Sequence, residues 1–394
     1  MIRYINIWAI LFILPVSLSA QITVDSVLSA IEKNNTSLSA MRKRVDADKI
    51  GNQTGIYLQN PEAGFNYLWG TPSAMGNRTD INIRQSFDFP TAYGFRRQIA
   101  DSRNLQSDLE YQQQFKDILY SARILFTDIM YANAINEEYG KRLMHAQSIA
   151  DAFQGMYEKG EVSVLEHNKA QLNLLNLKKE AEARNIERAA YLKQLAALNG
   201  GIAIELNEKS FQSQTLPSDF DQWYSNAEKN NPALLWLKQE IEVSQQQEKL
   251  NRAMGLPKAS AGYMSEKIVG EHFQGISMGV SIPLWENKNM VKYAQAQTLA
   301  LQSIEADRKL QFFNHLKIQH QKAASLQQTI NEYRQAIQSS NNAELLKKAL
   351  DQGELSLINY LMELSFTYLA MDNLLKSEYE LNKTLSFLAQ FEKR

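Results

Sequence analysis

Apolar side chains along this chain keep two different periods. Ile276, Met278, Val280 and Ile282 alternate with Ser277, Gly279 and Ser281, and Ser260 to Ile268 offers a partner segment. Period two predicts a strand with one apolar face and one small or polar face. Phe65, Tyr67 and Trp69 alternate in the same way with Asn66, Leu68 and Gly70, and Ile81 and Ile83 with Asn82 and Arg84. Each stretch predicts a β-hairpin, over about 62–90 and about 258–284, with strands of about 10 residues. Elsewhere the spacing is helical. All eight prolines lie outside Thr91–Leu216 and Leu284–Arg394, and proline-free stretches of that length suit helices. In the first, Phe95 to about Tyr157 and Val164 to about Leu198 form a helical pair, with Gly160 at the turn and Gly200-Gly201 as the stop. The second reads as long amphipathic helices with one turn at Gly353, the only glycine between Trp285 and Arg394. A shorter helix precedes each hairpin, about Val24 to Leu58 and about Phe220 to Met254. A helix of about 60 residues is roughly 90 Å long, too long for a compact globule and suited to a coiled-coil-like assembly.

The same order occurs twice because the chain is a tandem duplication. Glu228 to Leu234, EKNNPAL, repeats Glu32 to Leu38, EKNNTSL, at an offset of 196. Pro61 and Tyr67 fall on Pro257 and Tyr263 at that offset, whereas Gly160 to Leu165 falls on Gly353 to Ile358 at 193. The drift predicts a short insertion in the first half, expected near Pro90 to Gly94. The domain plan is a leader over 1–20, a first repeat over 21–200, a linker over 201–221 and a second repeat over 222–394.

Composition narrows the function. The formal net charge of −1 lacks the basic excess that nucleic-acid binding calls for. There is no cysteine, so neither disulfides nor thiolate metal sites form. Arg3, an apolar run from Ile7 to Leu18 and the small pair Ser19-Ala20 read as a secretory signal peptide. The rival reading, a membrane anchor, needs about 20 apolar residues, more than this run supplies. Five histidines are scattered, and none makes a pair at the four-residue spacing that puts two ligands on one helix face; a lone surface role is expected for each. Met254, Met264, Met278 and Met290 surround the second hairpin without the spacing of a site, and Met278 fits an apolar strand face. No phosphate loop, nucleophile elbow or catalytic carboxylate pair occurs, so the expectation is a non-enzyme without cofactor or resident metal.

Strands of about 10 residues with one apolar face suit a barrel in an outer membrane. Tyr67, Trp69, Phe87, Phe89 and Trp285 lie near the strand ends, where interfacial aromatic girdles belong. Ile276, Met278, Val280 and Ile282 are the expected lipid face. Four strands cannot close a channel-bearing barrel, and lipid forbids an open edge, so several chains must share one barrel. A soluble four-stranded sheet with one wet face is the alternative reading of the hairpins.

With two hairpins, two long helical pairs and an internal duplication, the mature chain resembles the outer-membrane efflux protein family, the channel-tunnels of tripartite exporters. Residues 35–67, NTSLSAMRKRVDADKIGNQTGIYLQNPEAGFNY, and 262–284, GYMSEKIVGEHFQGISMGVSIPL, look most like its heavy-metal cation efflux branch, of cobalt-zinc-cadmium or copper-silver type. The resemblance implies a mainly α fold with membrane β-hairpins, in a homotrimer whose chains build one 12-stranded barrel above an α-helical periplasmic tunnel. It further implies a passive exit duct in the outer membrane, served by a periplasmic adaptor protein and an inner-membrane pump of RND type. On that resemblance Gly160, Glu161 and Val162, with Gly353, Glu354 and Leu355, correspond to the periplasmic tip where the adaptor docks. Glu166 and Asn359 fall where the family places an acidic gate residue, and Asn359 departs from that pattern. A duct for organic compounds, or a secreted coiled-coil scaffold or adhesin, is the alternative function.

Overall fold

A computed structural model describes residues 23–211, 215–339 and 342–392; the expected leader over 1–20 lies outside them. The duplicated EKNN motif proves to be a helix break. Helix α1 (Val24–Asn34) and helix α2 (Thr36–Asn52) are parted by Asn35 alone, in extended conformation. The Asn35 N–H donates to the last turn of α1 at the Ile31 carbonyl, 2.8 Å. Its side-chain oxygen accepts the Leu38 N–H at 2.9 Å, so one residue closes one helix and caps the next. The first half continues through strands β1 (Glu62–Leu68) and β2 (Arg78–Phe87) and helices α3 (Pro90–Glu158) and α4 (Val164–Leu198). In the second half Asn230 and Asn231 separate α5 (Phe220–Lys229) from α6 (Pro232–Met254), and the Asn231 side chain accepts the Ala233 and Leu234 N–H groups at 2.9 and 3.4 Å. Pro232 takes the first position of α6, where its missing N–H costs nothing. The single helices expected over Val24–Leu58 and Phe220–Met254 are thus each two, because an asparagine side chain competes for the backbone where an apolar residue would continue the helix. Asn34 and Asn35 also reach the end of α4, through Asn199 at 3.0 Å and the Leu198 carbonyl at 2.8 Å.

Strands β3 (Lys258–Ile268) and β4 (Glu271–Ser281) complete one antiparallel sheet in the order β1-β2-β3-β4. The β2–β3 pairing, with Ile83 opposite Tyr263, joins the two halves side by side. The register places Phe65, Ile81, Ile83, Tyr263, Ile276, Met278 and Val280 on one face and Asn66, Asp80, Asn82, Arg84, Ser260, Gly262 and Ser277 on the other. Glycine is required on that polar face: a Cβ on Gly262 would stand 2.4 Å from the Ile83 carbonyl oxygen. The first half's extra residues lie inside its hairpin and not near Pro90 to Gly94. Pro61 and Pro257 differ by 196 and Pro90 and Pro283 already by 193, and the β1–β2 connection over 69–77 answers the two-residue turn Val269-Gly270 of β3–β4.

Helix α3 has 69 residues, a rod of roughly 100 Å. It starts with Pro90 at its first turn and packs on α1, α2, α4, α6 and α9. Its buried residues therefore face different neighbours along its length. Near the sheet Gln106 binds Glu240 of α6 at 2.7 Å and Asn52 of α2 binds Asn104 at 3.0 Å. Midway, Ile118, Ala122 and Ile129 enter a core with Leu28, Ile31, Leu195 and Leu206. Helices α2 and α4 consequently lie end to end along α3. The second half was expected to hold one turn, at Gly353. It has three helices instead: α7 (Met290–Ser339), α8 (Ala343–Asp351) and α9 (Leu357–Ala389). Helix α8 starts as an element of its own after Asn342, whose side chain makes no capping hydrogen bond. Among the described residues no helix is long and apolar enough to cross a membrane.

Candidate functional site

Two ends of the molecule carry the candidate residues. At the far end of the helices the two turns have the same backbone. Gly160 and Gly353 hold φ of +75° and +74°, a left-handed conformation that glycine adopts without a Cβ penalty. In the first turn the Glu161 N–H reaches the Met156 carbonyl at 2.9 Å and the Gly160 N–H that of Tyr157 at 3.0 Å. In the second, Glu354 reaches Ala349 at 2.9 Å and Gly353 reaches Leu350 at 3.0 Å. Both pairs are the bonds of a Schellman stop. Three residues later Ser163 and Ser356 cap α4 and α9, accepting the N–H of Glu166 and of Asn359, each at 3.3 Å.

The side chains then diverge. Glu166 accepts the Ser163 N–H at 3.1 Å and its hydroxyl at 3.0 Å, completing a capping box. Asn359 is exposed at the matching place. Between the two tips lies a cavity of about 380 Å³, whose lining includes Glu166, Val162, Gly353, Leu355, Lys347 and His145. Glu161 and Glu354 are exposed at the turns, and Val162 and Leu355 pack on a core of Ile149, Phe153, Ala170, Leu357, Tyr360 and Leu364. The structure therefore brings Val162, Glu166, Gly353 and Leu355 to one cleft and leaves Glu161, Glu354 and Asn359 at the surface.

Behind this cleft stands a polar seam between α3 and α9. Arg142, buried, binds both carboxylate oxygens of Asp372 at 2.6 and 3.0 Å and lies over the Tyr139 and Tyr368 rings. Burial works against its charge, but Asp372 outweighs burial and holds the pKa above its ordinary value. His145, half-buried, has both ring nitrogens engaged: Nε2 with the Tyr360 hydroxyl at 2.7 Å and Nδ1 with that of Tyr368 at 3.3 Å. Burial, and secondarily Lys347, lowers its pKa, and burial lifts that of Tyr360 to about 12. A surface role for every histidine is thus corrected: His145, His167 and His320 are half-buried against partners, His320 on the Pro217 carbonyl at 2.7 Å. Sequence reasoning missed this seam because its partners lie more than 200 residues apart and no local pattern marks them. Among the described residues no three His, Asp or Glu side chains gather as a metal site, so Met254, Met264, Met278 and Met290 have no such cluster beside them.

At the opposite end, Ile276, Met278 and Val280 stand on one face of β4, with Ile282 just past its end, and Met278 is 85% exposed. Tyr67 and Trp69 sit edge to face, 5.5 Å apart, at the turn end of β1. Phe87 ends β2, and Phe89 and Trp285 follow at the helix end of the sheet, so exposed aromatics flank the apolar face at both heights. Asp88, buried, binds Arg96 at 2.5 Å and fastens this end to α3.

No protein-family model and no curated protein sequence matches the chain. Solved structures do. CusC, a transmembrane channel, aligns with a TM-score of 0.79 at 14% identity, over 95% of this chain and 93% of that one. The outer-membrane channel OprN aligns at 0.80 and 11% identity over 93% and 89%, and the Campylobacter jejuni outer-membrane channel CmeC at 0.76 and 16% over 93% and 85%. The fold is that of these channel-tunnels, mainly helical with a small antiparallel sheet.

Proposed function

We propose that the chain is the exit duct of a tripartite efflux system, a passive channel and not an enzyme. It sits in the outer membrane and reaches into the periplasm. The observation that carries this reading is the sheet: one face presents an exposed apolar row through Phe65, Ile81, Ile83, Ile276, Met278 and Val280, flanked by aromatics, and the other is mainly small and polar, with Met264 and Phe273 as its exposed apolar exceptions. Among the described residues β1 and β4 each have one edge without a neighbour. Unpaired backbone edges are intolerable in lipid, where each unsatisfied group costs several kcal/mol. Joining β4 of one chain to β1 of the next satisfies every edge, and three chains close a 12-stranded barrel. Residues 21–200 and 222–394 then contribute equivalently to one wall. The exposed apolar residues Leu172, Leu175 and Ile186 of α4 and Leu299, Ile304, Leu310 and Ile318 of α7 are available to pack between chains.

The tips around Gly160 and Gly353 are the docking ends for a periplasmic adaptor, which links the duct to an energised inner-membrane pump of RND type. Glu166 is the candidate acidic gate residue, with Asn359 its uncharged counterpart. The cargo is heavy-metal cations, on the resemblance of residues 35–67 and 262–284; the likeness to CusC and to OprN is equally close and favours neither metal nor organic cargo. The test is native mass measurement in detergent together with conductance across a planar bilayer. A trimer that conducts is expected, and a stable monomer with an intact sheet overturns the reading. For cargo, deleting the gene should sensitise cells to divalent or monovalent heavy metals, and sensitisation to organic toxicants alone would replace metals with those compounds.

A further inference from the structure

The α3–α9 seam goes beyond the transport reading, because it lies within one chain and holds the two repeats together. His145 is placed where a proton would change that contact. As a neutral ring it accepts at one nitrogen and donates at the other, which suits the hydroxyls of Tyr360 at 2.7 Å and Tyr368 at 3.3 Å. As a cation it donates at both, so the Tyr360 hydroxyl must turn its own proton away from the ring, and Tyr360 is only 1% exposed.

The surrounding charges offer the cation little. On its own helix Arg142 stands one turn away and already holds Asp372 of α9 at 2.6 Å. From α8, Lys347 faces the same cavity and holds Asp351 at 2.8 Å. From α4, Glu166 faces the cavity with its carboxylate committed to Ser163. Glu138, two turns back along α3, is bound to Lys141 at 2.5 Å. Each carboxylate is thus engaged, while Lys347 opposes a positive charge on the ring.

We infer that His145 is an acid-sensitive latch: neutral, it fastens the second hairpin tip to α3, and protonated, it releases α8 and the first turns of α9. The sign follows from linkage. Burial and Lys347 hold the ring's pKa in the closed seam below the ordinary 6.5, so the opened seam binds the proton more tightly. The latch is at full strength above pH 6.5 and weakens as the pH falls through that value, by at most about tenfold in the opening equilibrium per pH unit until the lowered pKa is passed.

Backbone hydrogen exchange of the full-length assembly in detergent, corrected for intrinsic rates, reads this directly over residues 344–364. Protection there should fall several-fold between about pH 7.5 and about pH 5. His145→Gln, which keeps a hydrogen-bonding side chain and cannot titrate, should give flat protection. Lys347→Ala, at an exposed position of α8, should move the midpoint upward because a cation opposing the proton is gone. PH-independent protection in the unmodified chain overturns the latch, as does an unchanged pH response in His145→Gln. If His145→Gln fails to assemble, the Lys347→Ala midpoint decides, and an unmoved midpoint overturns it. Because exchange is read without transport, a conducting channel with a flat profile sinks the latch alone.

Discussion

The two hairpin tips share a backbone to within a degree of φ at Gly160 and Gly353, the same Schellman bonds and the same serine cap three residues on. They differ in what supports them. The first tip crowns the unbroken α3, 69 residues long, and locks its return helix with a Ser163–Glu166 capping box. The second stands on the nine-residue α8 and has Asn359 where the box takes Glu or Gln. Duplication kept the geometry that only glycine and a short capping side chain can provide, and let the supporting chemistry drift. The first tip therefore has the stronger local support, and the Arg142–Asp372 pair ties the second to it.

Cutting that tie should have the largest effect. Asp372→Ala leaves the Arg142 guanidinium buried without its carboxylate, a change that costs about 3–5 kcal/mol for a fully buried pair. The Asp372 side chain is 31% exposed, so the lower end, about 3 kcal/mol, is expected. Hydrogen exchange should show the loss in α9 far more than in α4. Equal losses in both would mean that the first tip is no more fixed than the second.

The glycines test the shared part. A Cβ at either would meet nothing within 4 Å, so Gly160→Ala and Gly353→Ala carry only the cost of a left-handed non-glycine, about 1–2 kcal/mol each. The two variants should lose matching local stability by exchange. A difference beyond about 0.5 kcal/mol between these distant sites would show that their surroundings, not their backbones, set the cost.

How legible this was from sequence depends on range. Period-two alternation marked β3 and β4 because their side chains answer to one neighbouring environment per face, and Gly160 and Gly353 stood out because left-handed φ is a local demand. Asn35 and Asn231 were visible as repeated letters but not as breaks, since a capping bond three residues away looks no different in sequence from a solvated amide. Arg142, His145, Tyr360 and Asp372 could not be read at all: each is an unremarkable letter in a helix until α9 is laid beside α3.

The caps come next in size. Ser163→Ala removes an N-cap bond and the hydroxyl bond to Glu166, leaving only the backbone N–H on that carboxylate, at about 1 kcal/mol, while Ser356→Ala removes the cap bond alone and should cost about 0.5 kcal/mol. Exchange in the first turns of α4 and α9 measures both. Reversed magnitudes would mean that the box adds nothing to the first tip.

The smallest effect separates two roles for one residue. Glu166 either serves only its own helix, through Ser163, or also places a negative charge where three copies would gather at the closed end of a tunnel. Asn359→Glu installs the missing acid at the third position of α9, opposite Ser356, and near a helix N-terminus should add a few tenths of a kcal/mol to the local stability of the second tip. Glu166→Gln keeps a side chain that can still accept from the Ser163 N–H, so its stability should change by less than about 0.5 kcal/mol. Conductance of reconstituted channels then isolates the charge. If Glu166 faces the pore, Glu166→Gln lowers cation preference and weakens block by multivalent cations, and Asn359→Glu raises both. Glu137→Gln, on α3 away from the tip and paired with Lys209 at 2.7 Å, is the control and should change little. Selectivity that ignores Glu166 and Asn359 alike while exchange records the capping change would assign Glu166 wholly to the helix end it caps.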